Sequence, residues 1–337
     1  MDYRDIVYKQ INHIETDIVP YTLGFQQESR HRLDEYYGRG DWRDKIEPYI
    51  KPVWIMDCQQ KQWIDENNSV DIYGSLWEEN NLIAHLKKPV LAEPTLKGWS
   101  MPAASAFFKG NEHAEAKRIL EKHKDSFTLI HIPWGIFEKS WSLRGFENAL
   151  ADMSLNEKFY EGFAERITEH LFGFVEIAIE YEVDGVMFGD DWGGQTGLFM
   201  GAERWRKYFK KNYKLLYDKV HQSGKYVLNH CCGNIVEILP DLIEIGLDVY
   251  ESFQPEAMDI YSIKKEFGAD MTFWGGLGAQ STIPFGNPES IKNEVITLKN
   301  EMSKGGGFIL APSKDPPPET PTENLIALID LFGGLNK

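Results

Sequence analysis

The chain has 337 residues and a formal net charge of −16, from 36 Lys and Arg against 52 Asp and Glu. Hydrophobic residues make up 42% of it and aromatic residues 13%, which suffices for a buried core and excludes disorder as the main state. Nucleic acid and anionic membrane surfaces are bound through clustered cations, so this acidic chain is a poor partner for either. The length suits about two domains, or one elaborated α/β barrel.

Two features of the composition indicate where the protein works. No apolar run reaches the roughly 18 residues that span a bilayer, and the acidic N-terminus MDYRDIVYKQINHIETD lacks the apolar core of a signal peptide. The three cysteines, Cys58, Cys231 and Cys232, do not form a disulfide framework. We therefore expect a cytoplasmic protein that acts on a small molecule or on another protein.

The first 125 residues predict an irregular region. VPYTLGF (19–25), PVWIMD (52–57) and PVLAEP (89–94) are strand candidates, and QQESRHRLDEYYG (26–38) is helix-like. Loops rich in Trp, Asp and Gly separate them. Together with the six later strands, two of these candidates would complete the eight strands that a closed barrel needs.

From about residue 126 onward, short apolar runs alternate with longer amphipathic stretches. The apolar runs are FTLIHIPW (127–134), GVMFGDDW (185–192), YVLNHCC (226–232), DVYESF (248–253), MTFWGG (271–276) and GFILAP (307–312). Runs rich in β-branched and aromatic residues between turn residues indicate buried strands. The stretches 156–183 and 203–224 are helix-like, the second with Gly224 beyond its end, and Asn287-Pro288 and Thr320-Pro321 place Pro at a first helical position. Six successive βα units predict a parallel sheet covered by helices.

Reactive side chains stand where these six strands end. They are His131, Asp190, Asp191, Trp192, His230, Cys232, Glu251, Gln254, Trp274, Ser313 and Lys314. In a closed α/β barrel these carboxyl ends share one mouth, whereas an open doubly wound sheet spreads them along an edge. We therefore predict a (β/α)₈ TIM barrel as one domain over residues 1–337, with an irregular N-terminal elaboration over about 1–125 and regular βα units over 126–337.

His230-x-Cys232 is the sharpest local signal for a metal site. Residues two apart on a strand face the same side, so Cys231 is expected to face the opposite one. Imidazole nitrogen and thiolate sulfur are both good zinc ligands, and zinc requires three or four ligands. Glu251, on the neighbouring strand, could add a carboxylate oxygen. The alternative is a core histidine beside a small buried cysteine, but the place at a barrel mouth favours the metal.

Asp190 and Asp191 are the candidate catalytic residues. They could act as general acid and base, orient a histidine, or hold a substrate hydroxyl or amine; the alternative is that one of them caps a turn. Two adjacent carboxylates beside Trp192 are costly to desolvate without a function, which favours catalysis. Trp192 and Trp274 could wall a flat substrate or could pack in the core.

At these residues the chain resembles the uroporphyrinogen decarboxylase superfamily, and within it the branch of corrinoid-dependent methyltransferases that includes coenzyme M methyltransferases and methyl-ether demethylating enzymes. The resemblance covers nearly the whole chain and implies a (β/α)₈ barrel. It rests on IVPYTLGF (18–25), SLRGFENALADM (142–153), GDDWGGQTGLFMGAERWRKYFK (189–210), NHCCGN (229–234), FWGGLGAQ (273–280) and GGFILAPSKDPPPETPTENL (306–325).

The resemblance extends to the metal site in part. The methyltransferase branch binds zinc through a His-x-Cys pair, which His230 and Cys232 match, and through a cysteine on the loop after the last strand. Here that loop reads APSKDPPPETP (311–321), so Lys314 replaces the cysteine and Glu251 is the expected third ligand. Lys314 is expected to point into the mouth, where it would neutralise carboxylates or bind an anionic substrate group; the alternative is that it extends into solvent.

The resemblance implies an enzyme that moves a methyl group between a small substrate, for example a methyl ether, and a corrinoid carried by a separate protein, assisted by Zn²⁺. Asp190 or Asp191 would manage the proton. The substrate would contact Trp192, Gln195, Trp274, Gln280, Lys314 and His131. The superfamily also implies a homodimer.

Two alternatives to the methyltransferase stay open. One is a metal-free decarboxylase of the uroporphyrinogen decarboxylase type that acts on a smaller acid. The porphyrinogen itself is disfavoured, because PVWIMDCQQKQW (52–63) stands where the decarboxylases have an arginine-rich motif. The other is a barrel that binds a ligand without catalysis.

Overall fold

A computed structural model describes residues 2–58, 60–80, 83–108 and 112–336. The strands in chain order are β1 (Ile50–Val53), β2 (Lys61–Trp63), β3 (Asn68–Asp71), β4 (Leu76–Asn80), β5 (Ile83–Lys88), β6 (Phe127–Ile132), β7 (Gly185–Gly189), β8 (Gly193–Gly194), β9 (Gly197–Leu198), β10 (Tyr226–His230), β11 (Val249–Phe253), β12 (Thr272–Leu277) and β13 (Phe308–Pro312). The helices are α1 (Tyr3–Ile11), α2 (Gln27–Tyr37), α3 (Glu112–Lys122), α4 (Ile136–Arg144), α5 (Phe146–Leu155), α6 (Glu157–Ala178), α7 (Ala202–Trp205), α8 (Lys211–Gln222), α9 (Leu239–Glu244), α10 (Ile260–Phe267), α11 (Thr282–Phe285), α12 (Pro288–Met302) and α13 (Thr322–Gly334).

A curled parallel sheet of seven strands forms the centre of the fold, in the order β1, β6, β7, β10, β11, β12, β13. From β6 onward this spatial order is the chain order, with helices between successive strands, so all six predicted βα units are present. Strands β7 and β13 are buried along their whole length, as their continuous apolar sequences require in a sheet covered by helices.

The predicted strand at 19–25 fills the gap between the two edges of this sheet, although it is only an isolated pairing. Leu310 of β13 donates to the Pro20 carbonyl at 2.9 Å and accepts from the Thr22 amide at 3.0 Å. On the other side the Tyr49 amide, next to β1, donates to the Tyr21 carbonyl at 3.0 Å. Seven strands and this segment make eight positions around the barrel, and the predicted TIM barrel is confirmed.

The helices predicted over 156–183 and 203–224 are also confirmed. The first is α6, and the second consists of α7, a π turn (Arg206–Lys210) and α8. Gly224 follows with φ 75°, the left-handed conformation that ends many helices. Asn287 caps α12 with Pro288 as its first residue, whereas α13 begins one residue later than predicted because Pro321 is its N-cap.

The strand predicted at 89–94 is wrong, and the one at 52–57 is misplaced because β1 ends at Val53. The segment 89–94 carries a proline at each end, and proline cannot donate to a strand ladder. It runs instead along the end of α4, where the Leu91 amide donates to the Leu143 carbonyl at 2.9 Å. Arg144 Nη1 donates to the Ala92 carbonyl at 2.8 Å.

The loops expected between β1 and β6 contain a four-stranded antiparallel sheet, β2 to β5. Its strands are short, and β2 is exposed along its length, so the sequence lacks the apolar alternation that indicates a half-buried strand. The sheet follows the carboxyl end of β1 and therefore stands beside the barrel mouth. Among the described residues, no helix is long and apolar enough to cross a membrane.

Candidate metal centre and barrel mouth

Three side chains with metal-binding atoms converge at the carboxyl ends of β7 and β10. Asp191 lies two residues beyond β7, His230 ends β10, and Cys232 follows it. Within the described part of the chain, one ligand atom from each of the three lies within 4.8 Å of the others. His230 Nε2 is 3.5 Å from Cys232 Sγ and 3.6 Å from Asp191 Oδ1. Such a set of nitrogen, oxygen and sulfur atoms fits zinc with a fourth position open, as in catalytic zinc sites.

Glu251 holds the other ring nitrogen of His230. The two residues are paired in register on β10 and β11, and the Glu251 carboxylate forms a hydrogen bond with His230 Nδ1. Burial by itself would lower the pKa of His230. The charges of Glu251 and Cys232 and their hydrogen bonds to the ring outweigh this effect, so the pKa lies well above its ordinary value. A carboxylate on the second nitrogen of a metal-binding histidine fixes the ring. The structure thus places Glu251 behind His230, and puts Asp191 among the converging atoms where the sequence predicted Glu251.

The two adjacent cysteines lie on different sides. Cys231 is fully buried, accepts from the Trp192 amide at 3.2 Å, and has a thiol pKa raised well above its ordinary value by burial. Cys232 is half-buried and faces His230. Alternation along an extended chain accounts for this separation, and it leaves Cys232 as the thiol that can reach a metal.

Asp190 is buried against the N-terminus of α4. Its carboxylate accepts four hydrogen bonds, from Phe137 N at 2.9 Å, Glu138 N at 2.7 Å, Trp192 Nε1 at 2.7 Å and Tyr213 OH at 2.6 Å. Burial raises the pKa of Asp190 to about 6, although these four donors oppose the rise. Both oxygens of Asp190 accept hydrogen bonds, and two of the donors are amides at the start of α4, so this carboxylate holds α4 in position. The structure does not bring Asp190 to the mouth with Asp191.

Three of the predicted substrate contacts lie away from the barrel cavity. Trp192 is fully buried and packs on Trp205 and Tyr213 with ring centroids 5.4 and 5.1 Å apart, so it stands in the core. Gln195 and Gln280 are exposed and connect two loops of the rim through a 3.4 Å hydrogen bond.

A cavity of about 460 Å³ opens beside His230 and Glu251 inside the barrel. Trp274, Lys314 and His131 line it, so the structure brings these three predicted residues together. Trp274 is fixed by donation from its Nε1 to Thr22 Oγ1 at 2.8 Å. Lys314 is exposed at the edge of the cavity, where its charge can meet a ligand.

His131 lines this cavity and contains a buried polar atom without a partner in the described part of the chain. Its Nε2 is buried and has no hydrogen-bond partner among the described residues. Burial, with a smaller contribution from the charge of the nearby His230, lowers the pKa of His131 to about 4. The ring is therefore neutral at pH 7.

Glu138 belongs to the site although no sequence pattern marks it. It lies in the first turn of α4 and is half-buried. Burial raises the pKa of Glu138 to about 8, and the charges of Asp190 and Asp191 contribute to the rise. The carboxyl group is then protonated at neutral pH and can donate a proton. The available signal was its place just after β6, at the carboxyl end of a barrel strand.

Comparison with known proteins places this fold in context. The chain matches the family model described as "Uroporphyrinogen decarboxylase (URO-D)" over residues 76–334, and no curated protein matches it. A methyltransferase from Methanosarcina mazei has a similar structure, with a TM-score of 0.73 at 16% sequence identity over 100% of both chains. A GH113 beta-1,4-mannanase reaches a TM-score of 0.41 at 11% identity over 95% of this chain and 99% of that one. The Podospora anserina GH26-CBM35 mannanase reaches 0.33 at 11% identity over 98% and 64%. The comparison with the Methanosarcina mazei methyltransferase shows a shared fold.

Proposed function

The chain belongs to the uroporphyrinogen decarboxylase family, and on that basis we propose that it is a zinc-assisted methyltransferase. It would move a methyl group between a small substrate, such as a methyl ether, and a corrinoid carried by a separate protein. The observation that carries this proposal is the convergence of Asp191, His230 and Cys232 within 4.8 Å at the barrel mouth. The solved methyltransferase with the same fold supports it.

Each residue at the mouth has a part in this proposal. Asp191, His230 and Cys232 would hold the zinc ion, and Glu251 would orient His230 through its hydrogen bond to Nδ1. A bound zinc ion would supply Lewis acidity toward the oxygen, nitrogen or sulfur that carries the methyl group.

The substrate would occupy the barrel cavity beside these residues. His131 would contact it through its neutral ring, and Lys314 would meet an anionic group at the edge. We assign the proton to Glu138, because the raised pKa keeps its carboxyl group protonated at neutral pH. Asp190 instead positions the helix on which Glu138 lies.

The mouth is also where a corrinoid protein would dock, because the methyl group must pass directly between the two cofactor sites. We propose such a protein as the partner, and a homodimer as the state of the chain itself, from the family resemblance. Mixing the purified chain with cob(I)alamin and candidate methyl donors tests the proposed exchange of methyl groups with a corrinoid. Methyl transfer would appear as a change in corrinoid absorbance.

Metal analysis of protein purified without a histidine tag tests the central proposal. We expect about one zinc per chain in the wild type and a large loss in Cys232→Ser, because the thiolate is a ligand. Cys58→Ser is the matched control, since Cys58 lies outside the converging group, and it should keep the metal. A metal-free protein that releases CO₂ from a small acid would overturn the methyltransferase in favour of a decarboxylase.

A further inference from the structure

A second cavity, separate from the barrel cavity, lies between the antiparallel sheet and α4. Its volume is about 470 Å³, within the range of small-molecule sites. Its walls include the rings of Tyr73, Trp77, Trp134 and Trp141. The two cavities share no lining residue. We call it the sheet cavity.

Lys139 brings a buried ammonium group to the sheet cavity. Its side chain lines the cavity, yet the residue is only 7% exposed. Lys139 Nζ lies 3.9 Å from the centroid of the Tyr73 ring and 4.2 Å from that of Trp134. Across the described ranges, it makes no hydrogen bond or ion pair with any residue. An ammonium group removed from water without a carboxylate partner is costly, and cation–π contacts offset this cost only in part.

Three carboxyl groups line the sheet cavity together with Lys139. Glu138 has a pKa raised to about 8 by burial and is protonated at neutral pH, and the other two are occupied by other donors. Asp71 accepts from the amides of Tyr73 and Ser75, each at 2.9 Å, and from Trp77 Nε1 at 2.9 Å. Glu79 pairs with Lys61. Burial lowers the pKa of Lys139 to about 8, although nearby acidic groups, Asp71 first among them, oppose the fall. No described carboxylate is in ion-pair contact with the ammonium group, which leaves it available to an anion from outside the chain.

We propose that the sheet cavity binds a small organic anion with a flat apolar body, whose anionic group pairs with Lys139. The aromatic walls favour a planar apolar body because rings stack and pack edge to face. The positive charge excludes a cation and favours a carboxylate or phenolate over a neutral molecule of the same shape. Glu138 also lines this cavity, but the proposed anion pairs with Lys139 and its binding involves no metal and no methyl group, so the binding test does not depend on the function proposed above.

Benzoate is a suitable probe, with benzamide as its neutral counterpart. In the full chain, titration followed by tryptophan fluorescence should show that benzoate binds at least about tenfold more tightly than benzamide, because a charge-assisted pair is formed. Lys139→Met keeps the length and apolar stem of the side chain and should weaken benzoate binding at least about tenfold while leaving benzamide unchanged. Lys219→Met is the matched control, since Lys219 also lies over an aromatic ring, that of Phe172 at 5.6 Å, and lines neither cavity; it should bind benzoate as the wild type does. Lys314→Met tests whether the anion instead occupies the barrel cavity, which Lys314 lines.

Two results would overturn the proposal. One is equal benzoate affinity in the wild type and in folded Lys139→Met. The other is loss of binding in Lys314→Met alone, which would place the anion in the barrel cavity. If Lys139→Met does not fold, crystals of the wild type soaked in 4-bromobenzoate decide: anomalous bromine signal among Tyr73, Trp134 and Lys139 supports the site, and its absence there refutes it.

Discussion

Two carboxylates adjacent in the chain, Asp190 and Asp191, occupy opposite environments. Asp190 is fully buried and holds the N-terminus of α4, whose first amides are free to donate. Asp191 is partly exposed, accepts from the Cys232 amide at 2.7 Å, and keeps an oxygen near His230 Nε2. Residue type alone treats the two as equivalent, but burial gives one a structural role and leaves the other available to a metal.

The residues around His230 lead to a prediction about metal binding. Asp191→Asn should remove most of the bound zinc, because a neutral amide is a poor zinc ligand. Glu251→Gln should retain the site but weaken zinc affinity by about 10–100-fold, as expected when a histidine loses the carboxylate that orients it. Competition with a chromophoric chelator measures both, and Gln195→Ala at the exposed rim should match the wild type. The opposite order of losses would make Glu251 the ligand.

The antiparallel sheet is fixed to the barrel at its β3–β4 turn. Tyr73 OH lies 3.0 Å from His170 Nε2 on α6, and Ser75 Oγ donates to the Ser142 carbonyl on α4 at 3.0 Å. His170 is buried with its ring 4.8 Å from that of Phe174. The same turn supplies the Tyr73 ring that covers Lys139, so the attachment of the sheet also shapes the sheet cavity.

His170 should make the stability of this attachment depend on pH. Burial, with Lys139 and Arg166 nearby, lowers its pKa from 6.5 to about 4. Between these two values the unfolded chain binds a proton that the folded chain does not. The contribution of His170 to the free energy of unfolding is therefore fully present above about pH 6.5. It falls by about 3 kcal/mol as the pH drops toward 4 and below.

Urea unfolding of metal-free protein at several pH values checks this expectation. His170→Gln keeps a polar group for Tyr73 but does not titrate, so the advantage of the wild type over this variant should shrink steadily from pH 7 to pH 4. Gln222→Ala, at an exposed position, changes no titratable group and should instead differ from the wild type by the same amount at every pH. A constant difference for His170→Gln would contradict the buried neutral histidine.

The barrel as a whole is closed by the short segment around Tyr21. The segment around Tyr21 joins β13 to β1 through three backbone hydrogen bonds, while the other neighbours in the sheet are joined by regular ladders. The barrel cavity lies against this segment, since Thr22, Leu23 and Gly24 line it. A few contacts at one seam thus hold the walls of the cavity in place.

Two variants at one position test the seam. Thr22→Pro removes the amide that donates to the Leu310 carbonyl, and it should lower the free energy of unfolding by about 2 kcal/mol or more. Thr22→Val keeps the amide and loses only the bond to Trp274 Nε1, which costs about 1 kcal/mol. Urea midpoints compare the two, and gel filtration should show association of Thr22→Pro through exposed strand edges. Equal midpoints would show that the seam contributes little.

The sequence by itself predicted the barrel and the positions of its reactive residues. Apolar runs such as FILAP (308–312), now β13, must be buried on both faces, and local pattern is enough to identify them. Because parallel strands end at one mouth, His131, His230 and Lys314 could be placed there from chain position alone. The side on which Cys232 lies also followed from alternation.

Only the tertiary structure decided what each side chain does at the mouth. Asp191 lies among the converging atoms, and Glu251 bonds to His230 Nδ1 because strand register sets it opposite His230; register is a contact between distant segments. Glu138 and Lys139 acquire their shifted pKa values from burial against other elements. The sheet β2–β5 has short, exposed strands that pair through neighbours and carry little pattern of their own. Burial and long-range pairing are properties of the folded chain, which is why local sequence could not supply them.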